Sequence, residues 1–90
     1  MQFIGRLRHP VQQKNPTLVG EVISEIKTEV ERLGFVVTGK EESLIYFTVE
    51  TGRGITDSNI LQKVTLAEYY GNQSARQLNV QFDFSQILNT

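Results

Sequence analysis

The sequence predicts a two-layer α+β domain in which helices cover one face of a mainly antiparallel sheet. That class rests on one helical stripe of apolar residues in the first half, period-two alternation at both ends, and two β-rich segments joined by a turn-like stretch.

Residues 2–8 place Phe3 and Leu7 on one face and Ile4, Arg6 and Arg8 on the other, as a half-buried strand requires. Gly5 adds no packing to that strand and costs backbone entropy there, and a glycine so placed often marks a bulge. Residues 9–15, with His9 and Pro10, are polar and aperiodic and read as a loop. Leu18, Val19, Val22, Ile23, Ile26, Val30 and Leu33 then recur at helical spacing, with Glu21, Glu25 and Glu29 on another face. Asn15 suits the N-cap, Pro16 the first helical position and Gly34 the left-handed residue past the end, so a helix is expected over residues 16–33.

Residues 35–38 and 44–50 are rich in β-branched and aromatic side chains, with Gly39, Lys40, Glu41 and Glu42 between them, and read as a hairpin. In its second strand Ile45, Phe47 and Val49 share one face and Leu44, Tyr46 and Thr48 the other. Apolar atoms on both faces suit a central strand or one covered by a partner. Near the end of the chain Leu78, Val80, Phe82 and Phe84 alternate with Gln77, Asn79, Gln81 and Asp83, which predicts a last strand.

Residues 57–70 admit two readings. As a helix, Asp57 or Ser58 caps them and Ile60, Leu61, Val64 and Ala67 form a stripe edged by Lys63 and Glu68. As a strand, Val64, Thr65, Leu66, Tyr69 and Tyr70 fit the propensities and residues 71–75 turn into the last strand. The helix yields a βαββαβ order, the ferredoxin-like arrangement, and the strand leaves one long helix on a five-stranded sheet. The capping signal around Thr56 and Ser58 favours the helix.

Ninety residues and 10.2 kDa fit a single domain spanning 1–90, and 39% hydrophobic with 21% charged residues excludes the composition of disorder. Nine basic against ten acidic side chains leave a net charge of -1, so no global field draws the chain to nucleic acid or an anionic membrane. The lack of cysteine removes disulfides, thiolate nucleophiles and cysteine-based metal sites. The first residues lack the long apolar run of a signal peptide or anchor, so a cytoplasmic location and no membrane contact are expected.

His9 is the one histidine and has no evident partner to orient it, Glu41 and Glu42 sit at the hairpin turn, and no serine lies in a nucleophile motif. No catalytic residue, cofactor or metal site is expected. Gly52, Arg53, Gly54 and Thr56 form the most suggestive stretch: glycines admit close approach, a helix start offers free N–H groups, and an arginine grips oxyanions. Arg6 and Arg8, with Tyr46, offer a basic and aromatic sheet face of the kind that binds single-stranded RNA, without the ring pattern of such domains. Ile4, Val36, Leu44 and Tyr46 are expected on the uncovered sheet face as an apolar patch that a second copy covers, with Tyr46 near the centre. The function these features predict is a non-catalytic interaction module that self-associates as a homodimer or docks into a larger assembly. The alternative is a small regulatory domain binding an anionic ligand or single-stranded nucleic acid.

Overall fold

Alternation sorts the side chains of β1 (Gln2–Leu7): Phe3, Gly5 and Leu7 are buried, while Gln2, Ile4 and Arg6 turn the other way. In the computed structural model, which describes residues 1–8, 16–39 and 46–87, there follow α1 (Pro16–Arg32), β2 (Phe35–Gly39), β3 (Tyr46–Thr51), α2 (Ile60–Ala75), a 3₁₀ turn (Arg76–Leu78) and β4 (Phe82–Ile87). His9, Pro10, Asn15, Lys40, Glu41, Glu42, Leu44 and Ile45 lie outside the described residues. The sheet runs β2-β3-β1-β4 with every neighbouring pair antiparallel. Both helices pack on one of its faces, which makes a two-layer α+β fold with β2 and β4 at the edges.

The stripe of α1 is buried as its spacing requires, with Val19, Val22, Ile23, Ile26 and Val30 inside and Leu18 and Leu33 half-buried. Gly34 follows with φ 110°, a left-handed conformation that a side chain would strain, and its N–H closes on the Glu31 carbonyl at 3.0 Å. All five phenylalanines join the core from the sheet side. Phe3 and Phe84 stack at 5.3 Å, and Phe35 meets both edge-on at 5.5 and 5.1 Å. Each such ring contributes about 1.5–3 kcal/mol by burial alone.

The strand reading of residues 57–70 is overturned. They enter α2, which continues through residues 71–75, where a hairpin turn had been the alternative. The inward face of α2 is made of small residues, Ala67, Gly71 and Ala75, and Leu61, expected on the stripe, is 78% exposed. Small residues let the helix settle close to the sheet. The ring of Phe82 fills that contact, and a Cβ on Gly71 would run into it. On its far side the same ring lies over Gly5, where a Cβ would stand 2.7 Å from Phe82 and 2.8 Å from Phe47. Gly5 therefore marks a close approach and no bulge, and pairing along β1 is unbroken. The irregularity falls in β2, between Val37 and Gly39.

The last strand also starts later than its alternation implies, at Phe82, and extends to Ile87. Leu78 belongs to the 3₁₀ turn and is nonetheless buried. Asn79 is left-handed at φ 56°; its N–H bonds the Arg76 carbonyl at 3.0 Å, and the Val80 N–H bonds that of Ala75 at 3.4 Å. These are the two bonds of a Schellman ending, with asparagine in the place usually held by glycine. The turn leaves Leu78 and Val80 facing the core, so burial keeps the alternation although the backbone is not extended.

The two helical glycines of α1 and α2 should respond oppositely to the same change. Around Gly20 no atom lies within 4 Å of the point a Cβ would occupy, so Gly20→Ala should stabilise by about 0.5–1 kcal/mol through helix propensity. Gly71→Ala gains the same propensity but must displace Phe82, and should destabilise by about 1–3 kcal/mol net. Urea midpoints report both, and a rise in each would show that Phe82 is not seated on Gly71.

Candidate functional site

The connection from β3 to α2 is built around two short-range contacts. The Gly52 N–H donates to the Gly34 carbonyl at 3.0 Å, and a side chain at Gly52 would overlap that same oxygen. Ile55 N–H donates to the Gly52 carbonyl at 3.2 Å, and the Ile55 side chain packs beside Gly34 against the core. Asn59 then ties the loop together, its Nδ2 donating to the Gly54 carbonyl at 3.1 Å and its Oδ1 accepting the Thr56 N–H at 2.7 Å. The helix cap is thus Asn59, beyond the expected Asp57 or Ser58, and its side chain serves the loop instead of the first turn.

Gly52, Arg53, Gly54 and Thr56 are adjacent in space, but the Thr56 amide is occupied and Gly52 is explained by its approach to Gly34. Arg53 is exposed, and among the described residues no carboxylate pairs with it. The loop is a joint between α1, β3 and α2.

On the uncovered sheet face, cross-strand pairing fixes the neighbours. Arg6 lies between Tyr46 and Asp83, Ile4 between Thr48 and Ser85, and Gln2 between Glu50 and Ile87. Ile4, Arg6 and Tyr46 are therefore brought together, with Ile4 and Tyr46 half-buried on a diagonal. Val36 is not in that group: it pairs with Glu50, four residues and about 13 Å along β3 from Tyr46. Leu44 lies outside the described residues. Hydroxyls of Thr48 and Ser85 flank Ile4, Gln2 Nε2 donates to Glu50 at 3.1 Å, and Arg8 is ion-paired to Asp83 and also donates to Gln81 at 3.4 Å. Among the described residues the face is mixed, with hydroxyls and charged side chains between Ile4, Tyr46 and Val36, and Arg8 is already engaged.

The larger apolar exposure lies on a flank that sequence reasoning passed over. Leu61 is 78% and Tyr69 57% exposed, both on α2. Tyr69 meets the ring of Tyr70 edge-on at 5.4 Å, whereas beside Leu61 runs the open edge of β4, reached also by Asn72: the Phe82 N–H donates to Asn72 Oδ1 at 2.8 Å, and Asn72 Nδ2 donates to the Phe82 carbonyl at 3.1 Å. A groove of about 340 Å³ opens between the start of α2 and the end of β4, lined by Met1, Phe3, Ile60, Leu61, Val64 and Phe84 among others. The spacing of Ala67, Gly71 and Ala75 sets the buried row, which leaves Leu61 at its side and Tyr69, two residues from both Ala67 and Gly71, opposite it.

Among the described residues no three carboxylate, histidine or cysteine side chains cluster to hold a metal ion, and no helix is long and apolar enough to cross a membrane. Comparison with protein-family models, curated proteins and solved structures finds no match to this chain.

Asn59→Ala removes both side-chain ties of the loop and should cost about 1–2 kcal/mol, with faster hydrogen exchange at the Thr56 amide. Arg53→Ala should stay within about 0.5 kcal/mol of the parent. A larger loss at Arg53 than at Asn59, read from thermal unfolding, would assign the loop a different organiser.

Proposed function

We propose that this chain is a ferredoxin-like, non-catalytic interaction module whose work is docking to protein, its own copies first. One observation carries the reading: α2 exposes two large apolar side chains, Leu61 and Tyr69, and Leu61 shares a groove with the open backbone edge of β4. Exposed apolar area beside unpaired strand groups is a surface that natural proteins cover, shorten or use. The βαββαβ element order and the strand order β2-β3-β1-β4 support the fold name.

The competing readings have less behind them. An anion at the Arg53 loop would find the Thr56 amide taken, and a nucleic acid on the sheet face would meet Arg8 already bound to Asp83. Light scattering across the micromolar range should report a mass near twice 10.2 kDa that falls on dilution. A mass of one chain at every concentration would remove self-association from the reading.

A further inference from the structure

We draw no further inference here: the strongest candidate, the apolar groove between the start of α2 and the open edge of β4, carries nothing because nothing in the structure shows what covers it.

Discussion

The position of one ring, Phe82, sets how the two layers meet. It is held between a glycine of the sheet, Gly5, and a glycine of the helix, Gly71, and a β-carbon at either would occupy space the ring needs. The ring runs nearly parallel to Phe47 at 6.0 Å, so its seat also fixes the centre of the sheet. Asn72, next to Gly71, holds the backbone of the same residue by two hydrogen bonds. Side chain and main chain of Phe82 are thus both gripped by one turn of α2, and the rest of that helix follows from this contact: a small-residue face inward and larger side chains left outside.

That constraint also explains what was legible in the sequence. Helix α1 buries branched aliphatic residues, so its stripe, its Pro16 start and its Gly34 ending are visible from spacing alone. Helix α2 buries alanine and glycine, which hydrophobic periodicity barely registers, and the β-prone run from Val64 to Tyr70 competes with it. Phe82 takes the place of the missing large residues from the other layer. The alternation from Leu78 to Phe84 reported burial correctly and backbone wrongly, because a Schellman ending at Asn79 presents Leu78 and Val80 to the core without a strand. As for the surfaces, Ile4 and Tyr46 share a face by simple alternation, but the distance of Val36 depends on strand pairing and on the irregularity after Val37. Strand order made β4 an edge, and no local pattern encodes that. In the Gly52 to Thr56 stretch, the close approach that glycine admits is taken at Gly52 by the carbonyl of Gly34, a partner 18 residues away that spacing does not reveal.

Three asparagines fill roles that backbone groups usually fill. Asn59 bonds a carbonyl and an amide of the loop before α2, Asn72 offers an amide to Phe82 as a neighbouring strand would, and Asn79 takes the left-handed turn. The common reason is the short carboxamide, which carries a donor and an acceptor in the same plane as a peptide unit and tolerates the left-handed region better than most side chains. In a chain without cysteine, these fixtures stand at the joints where irregular backbone has to be held.

The hold of Asn72 on Phe82 bears on colloidal behaviour. Templated fibre growth needs six or seven consecutive residues offering a continuous ladder, and an edge strand with such a run recruits further chains without limit. In β4 the ladder is stopped at one end by a side chain acting as a false strand, and at the opposite rim of the sheet β2 is kinked between Val37 and Gly39. Neither rim therefore offers an unbroken ladder along the whole of its described strand. The asparagine is in this sense a gatekeeper: it shortens the run of backbone that an approaching strand could pair with.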